Sequence, residues 1–217
     1  AALMEIVGLS IAVSLTAVFI AGMLGITIAG AIALSENRFA RVMRVLFSAL
    51  MGLPPVVVGL FLYILLSRSG PLGVLGLLYT PWAMILAQVI LILPIIVSLS
   101  TDAFDGSERA LGMTLRALGG NRIMRLGTHI VEQRAQVLTA ILAGLGRAFA
   151  EVGAVMIVGG NIDHLTRVMT TAIALETSKG NLTFALALGL VLLFISFVIN
   201  ALVMNLKPKS MEVSYGG

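Results

Sequence analysis

Two charged residues, Arg147 and Glu151, stand four positions apart in a stretch that is otherwise apolar. In a helix this spacing places both side chains on one face, where they can form an ion pair. A charge near the centre of a bilayer costs about 2.5–3.5 kcal/mol on insertion scales, so we expect the pair to face other helices. It is either an internal ion pair that holds helices together, or an arginine on an anion path, or part of a conformational latch. A proton relay is disfavoured, because an adjacent arginine keeps a carboxylate ionised.

Residues that would support enzymatic chemistry form no recognised pattern. The chain has no Gly-x-x-x-x-Gly-Lys-Ser/Thr phosphate loop, so we do not expect it to hydrolyse nucleotide. His129 and His164 stand far apart and outside any HExxH pattern, which predicts polar loop histidines rather than a metal site. Cysteine is absent, and with it any thiolate nucleophile. We therefore expect a non-catalytic chain that binds no metal or other cofactor.

The longest polar segment, Asp102–Gln136, contains five arginines and four acidic residues. Leucines recur in its first half at helical spacing, and Gly119 and Gly120 then predict the end of that helix. Asn121 is a suitable N-cap for a second helix. A helix, a glycine turn and a second helix would form a compact knob that fits a groove on a soluble protein. The alternative is an amphipathic pair that lies on lipid headgroups.

The composition predicts the environment of these residues. Hydrophobic residues make up 59% of the chain and charged residues 11%, whereas about a quarter of the residues of a soluble domain are charged. We therefore expect a single membrane domain over residues 1–217. We attribute the net charge of +4 to basic residues in cytoplasmic loops rather than to a nucleic-acid binding surface. Apolar stretches of about 20 residues, without the alternation of barrel strands, predict five transmembrane helices in an all-α fold. These spans are Leu9–Leu34, Val45–Leu66, Pro81–Ser100, Val137–Val158 and Leu182–Leu206.

Basic residues are distributed unequally between the loops, and this asymmetry predicts the orientation. Ten lie after the first and third spans or in the C-terminal tail, and three lie after the second and fourth spans. Because basic loops remain in the cytoplasm, we expect the N-terminus outside, the C-terminus inside and the 102–136 loop in the cytoplasm. The ten are Arg38, Arg41, Arg44, Arg109, Arg116, Arg122, Arg125, Arg134, Lys207 and Lys209, and the three are Arg68, Arg167 and Lys179.

Prolines and small residues predict local features of the spans. Pro54 and Pro55 in the second span and Pro94 in the third should each kink or break a helix, because proline lacks an amide donor and clashes with the preceding turn. Carbonyls freed at membrane depth must meet protein or water. The Pro54-Pro55 position is therefore either a gate or cavity, or a structural kink. Small residues four apart on the first span, Ala17 and Ala21 with Gly25, predict a face that packs closely against another helix.

Three segments resemble the permease subunits of binding-protein-dependent ABC importers of the molybdate and tungstate type. Met51–Leu60 is similar to the second span of these permeases, and Gly146–Ile162 is similar to a later span. Thr170–Gly180 resembles the tungstate branch in particular. The resemblance extends over essentially the whole chain. It implies the type I importer permease fold with a cytoplasmic coupling-helix loop.

The same resemblance assigns a role to the polar loop. Gly119 takes the position of the glycine in the family's loop pattern, while Met113, Thr114 and Leu115 stand where that pattern has Glu-Ala-Ala. The resemblance implies that residues 111–125 form the coupling region, on which a cytoplasmic ATPase docks. The residues expected at this contact are Met113, Thr114, Leu115, Leu118, Gly119 and Arg122.

The resemblance also implies an assembly. Two copies of the chain would form a path across the cell membrane, the inner membrane of a prokaryote, and import tungstate or molybdate by alternating access. Two ATPase subunits would carry the ATP and magnesium, so that this chain itself binds no cofactor, and an extracytoplasmic oxyanion-binding protein would dock outside. The candidate residues of the path or gate are Pro54, Pro55, Arg147, Glu151 and Asn161.

A second function is compatible with the same residues. A stand-alone anion channel or secondary transporter would use Arg147 and Glu151 as its working charges and would pass oxyanions without ATP. The spans show no obvious inverted repeat and lack the intramembrane acids that ion coupling requires, which disfavours this alternative. A membrane scaffold that only anchors soluble partners would transport nothing.

Overall fold

The computed structural model describes residues 2–35 and 37–205, and these residues form helices and connecting turns. The predicted end of the fifth span at Leu206 and the tail lysines Lys207 and Lys209 lie outside the described residues. Between the third and fourth helices, Gly73–Leu75 forms a short 3-10 turn. The α-helices are α1 (Ala2–Ala33), α2 (Arg38–Leu50), α3 (Pro55–Leu66), α4 (Pro81–Ala117), α5 (Arg122–Glu132), α6 (Arg134–Ala150), α7 (Gly153–Gly159), α8 (Met169–Ser178) and α9 (Leu182–Asn205).

Several of these helices are candidate membrane spans. In the part of the chain that the structure describes, α1, α4 and α9 are each long and apolar enough to cross a membrane. Two bent pairs are further candidates, because each pair taken together is long and apolar enough, although α2 and α3 meet at 105° and α6 and α7 at 59°. The described residues therefore offer three spans, or up to five if each bent pair counts as one. At this level the prediction of an all-α membrane protein is confirmed.

Helices α1 and α4 form the centre of the bundle. The small residues predicted to pack closely are found in this contact: Ala17 and Ala21 are fully buried, and a Cβ atom on Gly25 would lie 2.8 Å from Ile96 Cγ2 of α4. Gly144 of α6 approaches the α4 side chains equally closely. Such close approach provides dispersion contacts where lipid supplies no hydrophobic driving force between helices.

The second predicted span, Val45–Leu66, is not one continuous helix. Helix α2 ends at Leu50, Pro54 is the N-cap of α3, and Pro55 is its first residue. Proline suits this first position, because the amide there has no partner within the helix. The prediction of a kink or break at the proline pair is confirmed, and α2 lies nearly at right angles to α3.

Pro94, in contrast, does not break its helix. Helix α4 runs without interruption through Pro94, which is buried. A proline inside a helix removes one hydrogen bond and strains one turn. Here both flanking segments pack against α1 and α6 in the main core, and this packing outweighs the loss.

The helix of the third predicted span is longer than Pro81–Ser100. It continues to Ala117, and 37 residues at 1.5 Å each extend over about 55 Å. The hydrocarbon core of a bilayer is about 30 Å thick. The first half of the 102–136 segment is therefore a continuation of α4 rather than a separate helix.

The fourth predicted span, Val137–Val158, is also not one continuous helix. Helix α6 ends at Ala150 and α7 begins at Gly153, with Glu151 in an extended conformation between them. The carboxylate of Glu151 accepts a hydrogen bond from the backbone of the next helix, which satisfies an amide in its first turn. Glu151 thus stands in a break rather than on a helix.

Candidate functional site

The two breaks lie side by side because α3 packs along α7. A Cβ atom on Gly59 of α3 would lie 2.8 Å from Ala154 Cα of α7, and one on Gly153 would lie 2.9 Å from Val56 Cγ2. At the first of these contacts the backbone of α3 lies directly against the backbone of α7. No flexible side chain there could move aside for a larger residue. The first turns of α3 and α7 therefore form one packed unit, which we call the paired breaks.

The paired breaks bring together four of the five residues predicted for the path. Arg147 Nη2 lies 3.9 Å from Glu151 Oε2 and 3.5 Å from the carbonyl oxygen of Leu53, the residue before Pro54 and Pro55. The Arg147 side chain is 33% exposed, whereas that of Glu151 is 3% exposed. The junction thus presents an accessible positive charge beside two interrupted helices.

Glu151 also has a local structural task. Its Oε1 atom accepts a hydrogen bond of 2.9 Å from the backbone amide of Ala154, which satisfies a first-turn amide of α7 and places a negative charge at the helix start. On the other side of the break, Gln88 Nε2 of α4 donates to the carbonyl oxygen of Ala148 at 3.2 Å. The carbonyl oxygen of Ala148, which also accepts from the Glu151 amide at 3.3 Å, and the amide of Ala154 are thus both bonded by protein atoms, as membrane depth requires.

Gln88 was not among the residues predicted for the site. It is nevertheless conspicuous in the sequence, because it is the single glutamine within the apolar run of the third predicted span. A buried amide without a partner costs several kcal/mol on scales where no hydrogen bond compensates it. An isolated amide side chain in such a run therefore predicts a hydrogen bond to the backbone of a neighbouring helix.

Asn161 does not join the paired breaks. It follows the opposite end of α7, separated from Glu151 by about 10 Å of helix. Its backbone is left-handed, with φ of 49°, and its Nδ2 atom lies 3.4 Å from the carbonyl oxygen of Thr171 in α8. Asn161 therefore shapes the turn from α7 toward α8.

The knob predicted for the polar segment is confirmed. Gly119 takes a left-handed φ of 73°, and the Gly120 amide donates to the carbonyl oxygen of Leu115 at 2.9 Å, which is the Schellman form of a helix end. The Asn121 side chain then accepts from the amide of Met124 at 2.8 Å and starts α5. The end of α4 and the start of α5 thus form a tight helical hairpin.

Large apolar side chains are exposed at the tip of this knob. Met113, Leu118 and Ile123 are 83%, 73% and 83% exposed. Clustered exposed apolar residues within a polar segment indicate an interaction surface. Ile123 was not among the predicted contact residues, although it follows the turn directly. The remaining predicted coupling residues are either exposed or half-buried: Thr114, Gly119 and Arg122 are exposed, and Leu115 is half-buried.

The two histidines are not isolated. His164 Nδ1 lies 2.6 Å from Glu5 Oε2, and this hydrogen bond raises the pKa of His164. His129 is 1% exposed and contacts Ser107 and Glu108, so the prediction of a polar loop residue is wrong for His129. Its burial depends on α5 folding back along α4, which chain spacing does not reveal. Within the described residues, no group of three or more His, Cys, Asp or Glu could hold a metal ion.

Known proteins match the chain over most of its length, although no protein-family model matches it. It is 42% identical over 204 residues to the tungstate uptake system permease protein TupB of Peptoclostridium acidaminophilum, covering 94% of this chain and 90% of the relative. A probable anion ABC transporter permease protein of Haloferax volcanii is 42% identical over 205 residues, covering 92% and 88%. TupB of Campylobacter jejuni is 39% identical over 172 residues, covering 79% and 72%.

The first two matches cover about nine tenths of this chain and of each relative, so they extend over most of its helices rather than over a shared motif. The helical architecture, with its apolar spans and projecting knob, agrees with them. The chain therefore belongs to the family of ABC transporter permease proteins, the membrane-spanning subunits of ABC uptake systems.

Proposed function

We propose that this chain is the membrane-spanning subunit of an ATP-driven importer of tungstate. The observation that carries the proposal is the similarity to two tungstate uptake permeases, 42% and 39% identical over most of this chain. Because the sequence has no phosphate loop, ATP and magnesium bind to a separate ATPase. Molybdate, a tetrahedral oxyanion of the same charge, is the second candidate substrate.

In this proposal the chain crosses the membrane five times, with the N-terminus outside and the C-terminus inside. Each bent pair is then one crossing, and residues 102–136 lie in the cytoplasm. The unequal distribution of basic residues supports this orientation. The bend between α2 and α3 is compatible with a broken span in which the two helices together make one crossing, since α3 alone, at 12 residues, extends over only about 18 Å.

The ATPase docks on the tip of the knob. Support comes from the three exposed apolar residues Met113, Leu118 and Ile123, which would otherwise be hydrated. Gly119 allows the turn that presents them. In a homodimer two knobs would engage two ATPase subunits, so that closure of the ATPases moves both α4 helices.

The paired breaks serve as the gate of the translocation path. Alternating access requires elements that can change tilt, and two interrupted helices that touch each other can tilt together. Arg147 places a positive charge where an oxyanion would pass. Tight binding by this chain is unnecessary when an extracytoplasmic binding protein supplies selectivity, and Asn161, beyond the outer end of α7, lies on the side where that protein would dock.

Reconstitution with the candidate ATPase and binding protein tests the substrate. ATP hydrolysis is measured in vesicles with the binding protein loaded with tungstate, molybdate or sulfate. We expect stimulation to be greatest with tungstate. Equal stimulation by all three anions would contradict a tungstate importer.

A matched pair of variants tests the docking surface. Leu118→Asp places a charge at the apolar tip, and we expect it to abolish co-purification of the ATPase. Val74→Asp is the control, because Val74 is 98% exposed in the connection between α3 and α4, on the outer side in this proposal. The docking assignment is wrong if both variants retain the ATPase equally.

The stand-alone channel or secondary transporter remains the competing function. Arg147 and Glu151 do lie together, which such a protein would need. One oxygen of Glu151, however, caps α7, and the other faces Arg147. Oxyanion flux in vesicles that contain this chain alone and no ATP would favour this alternative.

A further inference from the structure

A buried polar cluster joins the extension of α4 to α5 behind the knob. Glu108 of α4 is at its centre: one carboxylate oxygen accepts from Arg116 at 2.9 Å and also from Arg125 of α5. The other oxygen lies 2.7 Å from His129 Nε2. His129 Nδ1 in turn lies 2.8 Å from Ser107 Oγ.

The buried members of this cluster are paired across the two helices: Glu108 of α4 contacts Arg125 and His129 of α5, and Ser107 of α4 contacts His129. The side chains of His129 and Glu108 are 1% and 12% exposed, so water has little access to these contacts, whereas Arg116 lies on α4 itself and is half exposed. Breaking a buried charged pair by removing one member is strongly destabilising, because the remaining charge is left uncompensated. The cluster therefore fixes the relative position of α4 and α5 more firmly than the glycine turn alone.

The cluster is continuous with the apolar core. The ring of His129 packs against Phe104, with centroids 6.5 Å apart. Phe104 is fully buried together with Ala29 of α1 and Val137 of α6. A displacement of the knob can therefore be transmitted through the packed side chains of the cluster to the helices of the bundle.

We propose that Glu108 and His129 are positioning residues that make the α4–α5 hairpin a rigid lever. The lever carries movement from the tip, where the ATPase docks, into α4. This inference rests on the docking role given to the knob under the proposed function. Without the cluster the tip would still bind the ATPase, but the hairpin would bend at its glycine turn and the movement would be lost.

Glu108→Gln tests the lever, and Glu132→Gln is the matched control. Glu132 is an exposed acid on α5, so the same chemical change there leaves the cluster intact. In the reconstituted complex we measure ATPase retention, the KM for ATP, and tungstate transported per ATP hydrolysed. For Glu108→Gln we expect retention and KM to be unchanged and transport per ATP to fall about tenfold, within the usual range of coupling free energies.

A covalent replacement of the cluster separates positioning from folding. The chain has no cysteine, and the Ser107 and His129 side chains are in contact. The double variant Ser107→Cys and His129→Cys should be uncoupled when reduced. Joining the two thiols, directly by oxidation or through a short bifunctional thiol reagent, should restore transport per ATP in the same sample, and the loss of both free thiols shows that the link has formed. Neither single variant should respond to either treatment.

Three results overturn the inference. Transport per ATP in Glu108→Gln that equals the control would show that the cluster carries no coupling. A double variant that stays uncoupled once its two thiols are joined would show that holding α4 against α5 is not the function of the cluster. Failure of the unaltered chain to bind any ATPase is a distinct result, because it refutes the proposed function as well as the lever.

Discussion

At the scale of single residues, Glu151 combines two tasks that are easily confused. Its pairing with Arg147 suggests electrostatics, at a separation of 3.9 Å. Its shorter contact of 2.9 Å to the Ala154 amide is a helix cap. The contact with the Ala154 amide should contribute more to the free energy of unfolding than the ion pair with Arg147, because it is shorter. A cap of this kind needs only an oxygen acceptor and no charge.

Two substitutions separate these tasks. Glu151→Gln keeps an oxygen acceptor for the Ala154 amide, whereas Glu151→Ala removes it, and a lost cap costs about 1 kcal/mol. We expect thermal unfolding in detergent to shift markedly to lower temperature for Glu151→Ala and little for Glu151→Gln. Equal shifts would mean that the negative charge, rather than the cap, holds the break.

A pH prediction follows from Glu108. Burial raises its pKa, but hydrogen bonds from His129 and Arg116 and the charge of Arg125 outweigh burial, so the pKa is lowered overall. A lowered pKa contributes stability that is complete above the pH where an unfolded glutamate titrates, about 4.3, and is lost as pH falls through the folded value.

The melting temperatures of the unaltered chain and Glu108→Gln, measured from pH 7 to pH 3, test this sign. We expect a constant difference down to about pH 5 and convergence in more acidic solution. Because both proteins share every other acidic group, their difference reports the interactions of Glu108, including its contact with His129. A difference that widens on acidification contradicts the assignment.

At the scale of elements, the contact between α3 and α7 determines whether the paired breaks act as one unit. Gly59→Ala would place a methyl group 2.8 Å from the Ala154 Cα, and backbone cannot yield as a side chain can. Overpacking of this kind costs about 1–3 kcal/mol. We expect lowered thermal stability and lost transport.

Gly189→Ala in α9 is the control, because a Cβ atom there meets nothing within 4 Å. It should leave stability unchanged or raise it by up to about 1 kcal/mol, as alanine restricts the unfolded chain more than glycine does. If the two variants behave alike, close backbone contact at Gly59 is not essential to the fold.

The sequence predicts those parts of the elements that depend on local chemistry. Gly119 and Asn121 define the knob because a left-handed turn and an N-cap need only neighbouring residues. The meeting of the two breaks is not local, since Arg147 and Leu53 are 94 positions apart. The buried cluster of Glu108 and His129 is equally hidden, because it depends on α5 folding back along α4.

At the scale of the whole molecule, the orientation of the chain can be tested with single cysteines in its cysteine-free background. Arg122→Cys lies on the exposed knob and Leu165→Cys on the exposed connection between α7 and α8. An impermeant maleimide should label Leu165→Cys in intact cells and Arg122→Cys only after permeabilisation. The opposite pattern would invert the proposed topology.

Tungstate uptake into vesicles shows whether ATP bound by a partner subunit drives transport. Vesicles contain this chain with or without its candidate ATPase, the candidate binding protein is added to every sample on the side from which tungstate is taken up, and accumulated tungsten is measured with and without ATP. We predict accumulation above the external concentration only when both the ATPase and ATP are present, and none in the Leu118→Asp variant. Tungstate entry into vesicles that hold this chain alone, at the same rate with and without ATP, would contradict ATP-driven transport.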